Sequence, residues 1–233
     1  MPGPDGAAPD RFPGAEPSPE AAQEKETVLT AEQGRSAADR LERQLRFLVE
    51  IDRLKSIIRR TRITDHSRYE NSAEHSWHLA LMAVLLHEHA PPGVDVLHAV
   101  ELVLVHDIVE IDAGDTDWHD AEAALDKPER ERAAAVRLFG LLPSDQSSRM
   151  LALWEEFEAG DTPAARFANA LDRVQPMLLV RYALDGDWAL RSSTPEHIRG
   201  RMAPVEAGCP PLWTFVNDVI EEAFRTGRTG RQP

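Results

Sequence analysis

The sequence predicts an all-α protein, a single-domain helical bundle, on three observations. Apolar residues recur at three- and four-residue spacing through most of the chain. Helix-start signals separate those stretches, as in Thr162-Pro163 and Thr194-Pro195. No run alternates apolar and polar residues convincingly enough to read as a strand, and no internal repeat is present.

The elements follow in order. Residues 1–35 are rich in Pro, Gly, Ala and Glu and cannot bury enough apolar surface to offset ordering, so they are expected to be a disordered tail. The folded domain is expected over 36–226, with a flexible C-terminus at 227–233. A first helix over Ser36 to Arg60 carries Leu41, Leu45, Leu48, Val49, Leu54, Ile57 and Ile58 at helical spacing. A second starts at Ser72, a plausible N-cap with Glu74 in the first turn, and stops before Pro91-Pro92-Gly93. The third runs from about Asp95 to Glu110. The polar stretch from Ile111 to Lys127 reads as a loop. Pro128 opens a fourth helix that ends near Gly140, and a fifth spans about Ser144 to Ala159. Thr162 caps a sixth that reaches about Leu184, with Pro176 expected to kink it. A short seventh begins at Thr194-Pro195, and Pro211 to Arg225 is the last.

Bulk properties narrow the function. The chain has 233 residues and a formal net charge of -14, a poor basis for binding a nucleic-acid polymer, which needs clustered Lys and Arg. A small phosphorylated substrate needs only a few local basic groups. One cysteine, Cys209, allows no intrachain disulfide framework and fits a reducing cytoplasm. No segment approaches 18 consecutive apolar residues, so no membrane span is expected.

His106-Asp107 interrupts the apolar run from Ala99 to Val105. Desolvating a carboxylate costs several kcal/mol unless it is paired or bound to metal. His75 and Asp172 lie in similar surroundings on two other helices. Two imidazoles and two carboxylates converging in a bundle suit one divalent ion such as Mn, Co, Ni, Fe, Zn or Mg. With four protein ligands, an octahedral ion keeps positions for water or a phosphate oxygen, and bound water becomes a usable nucleophile.

These residues resemble the HD superfamily of metal-dependent phosphohydrolases, whose signature is His, then His-Asp, then a distant Asp. Glu70-Asn71-Ser72-Ala73-Glu74-His75-Ser76 is similar to the E-N-x-x-E-H-S segment of the 5'-deoxynucleotidase group. His106-Asp107-Ile108-Val109-Glu110 with Gly114-Asp115 is similar to its H-D-x-x-E-x-x-x-G-D segment. Leu153-Trp154-Glu155-Glu156-Phe157-Glu158 and Ala170-Leu171-Asp172 resemble the stretches around its last ligand. The likeness covers about Arg46 to Tyr182 and implies an HD-type bundle with His75, His106, Asp107 and Asp172 as metal ligands. It makes Glu110 the acid/base or water-orienting carboxylate and gives Asp115 a role in contacting the sugar or assisting proton transfer. It gives the phosphate Arg68, with Arg62 and Lys55 as alternates. Trp118 is a candidate for stacking a base.

The implied reaction removes the 5'-phosphate from nucleoside monophosphates, deoxy forms included, through a metal-activated water, in a homodimer. The family's Arg-Trp pair is absent from Arg53 to Arg60, which contains no Trp, so base and sugar selectivity stay open. A phosphatase of another phosphorylated metabolite is an alternative. A dinuclear-iron oxygenase on the same scaffold needs extra histidines, and only His119 lies between the His-Asp pair and Asp172. A nucleotide sensor without turnover is the remaining alternative.

Overall fold

A computed structural model describes residues 36–116, 125–182 and 194–226. The chain separates into two compact units, 1–42 and 43–233. Residues 36–42, the described part of the first, are helical, and Leu41 is exposed there. The expectations for 1–35 and 227–233 lie outside the described residues. All that follows concerns the second unit, whose described residues are mainly helical.

Helix α1 covers 43–51. Phe47 is its buried residue and meets Phe139 with ring centroids 6.5 Å apart. From the same helix the Arg43 guanidinium donates to the carbonyls of Gly140 and Leu141 at 3.0 and 3.1 Å, and to that of Leu142. Those carbonyls follow a helix end, where the backbone has no intrahelical donor. Leu45, Leu48 and Val49 are exposed, although their spacing fits a core stripe.

The helix expected to reach Arg60 ends early. A 3₁₀ turn over Asp52–Ser56 buries Leu54. Strand β1 (Ile58–Arg62) then pairs antiparallel with β2 (Tyr69–Asn71), Ile58 opposite Asn71 and Arg62 opposite Tyr69. This corrects the expectation that no strand is present. Ile57, Ile58, Thr61 and Ile63 are β-branched and favour extended backbone, and exposure alternates along β1.

Helix α2 (Ser72–Leu86) is capped by Asn71 rather than Ser72. Asn71 Oδ1 accepts from the Glu74 N–H at 3.0 Å, and the Glu74 carboxylate accepts from the Asn71 N–H at 3.3 Å. The Ser72 hydroxyl is thereby available for the site. Helix α3 (Val96–Val105) starts on Asp95, whose Oδ1 accepts from Leu97 N–H at 2.9 Å. The chain then tightens into a 3₁₀ turn, His106–Val109, before a short α4 (Glu110–Ala113) that stops at Gly114, φ 77°.

Helices α5 (Lys127–Phe139), α6 (Ser144–Ala159) and α7 (Pro163–Tyr182) follow the expected pattern. Helix α6 ends at Gly160 with φ 65°, a conformation glycine adopts without steric cost. Thr162 Oγ1 accepts from Ala165 N–H at 3.0 Å to open α7. Ala165, Phe167, Ala168, Ala170 and Leu171 of α7 have no exposed surface, so α7 is the central element of the core. The helix runs through Pro176, which has no N–H to offer the carbonyl four residues back, that of Asp172. Three helices complete the described fold: α8 (Pro195–Met202), α9 (Pro204–Gly208) and α10 (Pro210–Thr226). Gly208 lets α9 lie against α7, because a Cβ there would sit 2.1 Å from the Arg166 carbonyl oxygen.

Candidate metal centre

Four elements supply one cluster. His75 comes from the first turns of α2, His106 and Asp107 from the 3₁₀ turn, Asp172 from the middle of α7, and Arg59 from β1. Donor atoms of His75, His106 and Asp172 all lie within 4.8 Å of one another. Asp107 flanks them, with Oδ1 3.0 Å from His106 Nε2 and Oδ2 4.0 Å from His75 Nε2. His75 Nε2 is 2.9 Å from Asp172 Oδ1, and His106 Nε2 is 3.8 Å from the same oxygen. The Asp172 side chain is 26% exposed, the others in the cluster far less, so the cluster opens to solvent on that side.

Each imidazole is held by its far nitrogen. His106 Nδ1 donates to the Val103 carbonyl at 2.8 Å, and His75 Nδ1 donates to Gln175 Oε1 at 3.1 Å. Both rings therefore turn Nε2 toward the carboxylates. His106 Nε2 is buried and has no hydrogen-bond partner. The Phe157 ring, 4.5 Å from that of His106 by centroids, backs the imidazole.

Without a cation this arrangement is electrostatically costly. Glu70, Asp107, Glu110 and Asp172 face the Arg59 guanidinium. Burial lowers both imidazoles, but neighbouring carboxylates, Asp172 foremost for His75 and Asp107 for His106, outweigh it and raise them. Burial raises Asp107, yet His106 and then Arg59 hold it down to about 2. Asp172 is likewise held low against burial by His106 and His75. The protons trapped between these groups occupy the place that a divalent ion fills when ligands give up protons to bind it. Two imidazole nitrogens and two carboxylates fit that ion.

Glu110 is buried and accepts a hydrogen bond from Ser72 Oγ at 2.6 Å. Burial, reinforced by Asp107 and Asp115, pushes its carboxyl up to about 8. Asp115 is half-buried on the turn after Gly114.

The other predicted contacts are engaged away from the cluster. Lys55 pairs with Asp52, both exposed. Arg62 donates to the His66 carbonyl at 2.9 Å and covers the Tyr69 ring. Arg68 grips the Glu74 carboxylate through both Nη atoms at 2.7 Å. Trp118 and His119 lie outside the described residues. Sequence reasoning missed Arg59, whose Nη1 donates to Asp107 Oδ2 at 3.0 Å and whose Nε is 3.7 Å from Glu70 Oε2. The signal available was a basic residue beside a β-branched pair, readable only once β1 is recognised. On α6, Glu156 accepts from His98 and Thr162, and the exposed Glu155 pairs with Arg132. A cavity of about 510 Å³ near His98, Glu101 and Arg149 contains no residue of the cluster.

Comparison with known proteins agrees with the geometry. Over 135 residues the chain is 30% identical to 5'-deoxynucleotidase HDDC2 of Homo sapiens, covering 58% of this chain and 65% of that protein. It is 26% identical over 139 residues to the Danio rerio protein of the same name, covering 59% and 68%. The crystal structure of a "predicted metal-dependent phosphohydrolase" from Magnetospirillum magnetotacticum MS-1 superposes with a TM-score of 0.76 at 48% identity, over 83% of this chain and all of that one. The chain thus spans about two thirds of the length of these two deoxynucleotidases. The family model for the HD domain matches residues 51–213, which contain His75, His106, Asp107 and Asp172, and the chain belongs to that family.

Proposed function

We propose that His75, His106, Asp107 and Asp172 hold one divalent metal ion and that the chain is a phosphoric monoester hydrolase acting on nucleoside 5'-monophosphates, deoxy forms included. The observation that carries the metal reading is the buried His106 Nε2, which makes no hydrogen bond yet is aimed at the carboxylates that His75 also faces. The substrate class rests on the likeness to the 5'-deoxynucleotidases. When bound, the ion supplies Lewis acidity and lowers the pKa of a coordinated water.

The chain's own residues do the rest. Arg59, half-buried beside Asp107, meets the negative charge that builds on the phosphoryl oxygens. Ser72 fixes one oxygen of Glu110, and the raised carboxyl holds a proton near neutral pH, suited to delivery to the departing sugar oxygen. Asp115, beyond Gly114, is placed to contact the sugar or to assist that transfer. Arg68, Arg62 and Lys55 remain outer phosphate contacts at most, because each is engaged away from the cluster. Trp118 stays a candidate for the base.

The test is phosphate release by the purified full chain from a panel of ribo- and deoxynucleoside monophosphates and other phosphorylated metabolites, with Mn²⁺, Co²⁺, Mg²⁺ and Ni²⁺. Asp107→Ala is expected to lose both metal uptake and release. Full activity in that variant overturns the assignment.

The protein is further proposed to be a cytoplasmic homodimer. No helix among the described residues is long and apolar enough to cross a membrane. Trp77, Leu81, Val84 and Leu85 line one exposed face of α2, and Leu97 and Leu104 are exposed on the neighbouring α3. An apolar surface of this kind marks a contact with another protein. Leu81→Lys is expected to convert a dimer to a monomer in sedimentation velocity; a wild-type monomer at tens of micromolar, roughly the range in which a standard-size interface would hold, refutes the dimer.

A further inference from the structure

Gln175 is a carboxamide with no exposed surface, buried one turn after Asp172 on α7. A buried amide must satisfy both ends. Its Nε2 donates to Glu70 Oε1 at 2.7 Å and lies 3.2 Å from His78 Nδ1. Its Oε1 faces His75 Nδ1 at 3.1 Å. These contacts form a chain of constraint. The Glu70 carboxylate can only accept, so the NH₂ end of Gln175 must face it. The carbonyl end must then face His75, so that Nδ1 is held as a donor and Nε2, 2.9 Å from Asp172 Oδ1, is the nitrogen that can give up its proton to a metal. Glu70 is itself buried on β2, with Arg59 Nε 3.7 Å from its other oxygen.

We propose that Gln175 is a positioning residue: backed by Glu70, it selects the tautomer and ring orientation of His75 that present Nε2 to the metal. The inference rests on the metal reading above and extends it to residues that touch no ion. His78, one turn along α2 from His75, supports the same amide rather than joining the cluster.

The experiment measures Co²⁺ affinity by calorimetric titration of the full chain, with thermal melts of the metal-free proteins alongside. Gln175→Leu is expected to weaken Co²⁺ binding about 10- to 100-fold, as removal of a group that orients a metal-binding histidine does. Glu70→Gln combined with Gln175→Glu reverses donor and acceptor while keeping both hydrogen bonds. A carboxylate at 175 accepts from His75 Nδ1–H, and a carboxamide at 70 supplies the N–H. That exchanged pair is expected to bind Co²⁺ within about threefold of wild type, a rescue that a merely space-filling role does not produce. Wild-type affinity in Gln175→Leu overturns the proposal, as does an exchanged pair no tighter than Gln175→Leu. Should Gln175→Leu fail to fold, the exchanged pair against wild type decides alone. Failure of the metal reading itself is distinguishable, because wild type and His75→Ala would then take up Co²⁺ equally. In that case ¹⁵N NMR of His75 decides: a proton held on Nδ1 in wild type and lost in Gln175→Leu supports the relay, and an Nδ1 unchanged by that substitution sinks it.

Discussion

Arg59→Leu probes how Asp107 is shared between a protein cation and a metal. Arg59 Nη1 sits 3.0 Å from Asp107 Oδ2, and the two side chains are only 14% and 10% exposed. Leucine fills much of the stem's volume and leaves Asp107 as a buried carboxylate without its guanidinium. Removing one partner of such a pair costs about 3–5 kcal/mol. For a domain of this size each kcal/mol lowers Tm by about 2–4 °C, so the metal-free variant melts roughly 6–20 °C below wild type. A divalent ion at the cluster supplies the missing positive charge. Because Arg59 no longer competes for Asp107, the variant binds that ion more tightly than wild type, and at saturating Co²⁺ each tenfold difference in Kd recovers about 1.4 kcal/mol of the gap. The stability gap therefore narrows on metal addition while kcat/KM stays about 10- to 150-fold down, the loss of one charge-assisted hydrogen bond to phosphate. Thermal melts with and without Co²⁺, beside steady-state phosphate release, read all three quantities. A stability gap of equal size in both melts refutes the sharing of Asp107, and an unchanged kcat/KM refutes the phosphate role.

Three further expectations test the fold around the site. Gly208→Ala forces a Cβ to 2.1 Å from the Arg166 carbonyl oxygen and 2.8 Å from Ala170 Cβ, so α9 must lift off α7; chemical denaturation is expected to show a loss of about 1–3 kcal/mol or more. Asn71→Ala removes half of the capping box on α2 and costs about 1 kcal/mol. Glu74 is held below the usual carboxylate range by Arg68 first, against burial, with the Asn71 N–H adding to the effect. A depressed carboxyl stabilises the fold above its unfolded pKa and loses that contribution as pH falls through the lower folded value. Melts from about pH 6 to pH 3, spanning the ordinary Glu value, should therefore show a steeper acid loss in wild type than in Glu74→Gln. Parallel profiles would show that the ion pair contributes nothing.

The cluster was legible because charge is conspicuous where it should not be. His106 and Asp107 break a run of Leu and Val, and Asp172 breaks a run of Ala and Leu, so local sequence alone marks them as anomalies. Arg59 carries no such mark. It stands among Arg53, Arg60 and Arg62, and only the pairing of β1 with β2 decides which guanidinium turns inward. The hairpin was missed because Leu45, Leu48 and Val49 extend a helical spacing toward Ile57 and Ile58, although the structure leaves those three side chains in solvent. Gln175 is similarly silent, since a polar residue before Pro176 reads as a helix irregularity until Glu70 and His75 are seen on either side of it. Ser72 and Asn71 both have the chemistry of a cap. Which one serves is settled by the use Glu110 makes of the other, a contact across 38 residues.

The tightened winding at His106–Val109 has a consequence for the spacing of chemistry. At three residues per turn, side chains three apart project in the same direction, and a rise of about 2 Å per residue sets them about 6 Å apart along the axis. Asp107 and Glu110 are such a pair. One pitch of backbone thus separates the carboxylate that faces Arg59 from the acid whose carboxyl is raised, and the negative charge of the first is part of what raises the second. Ordinary α-helical winding would swing the two about 60° out of line.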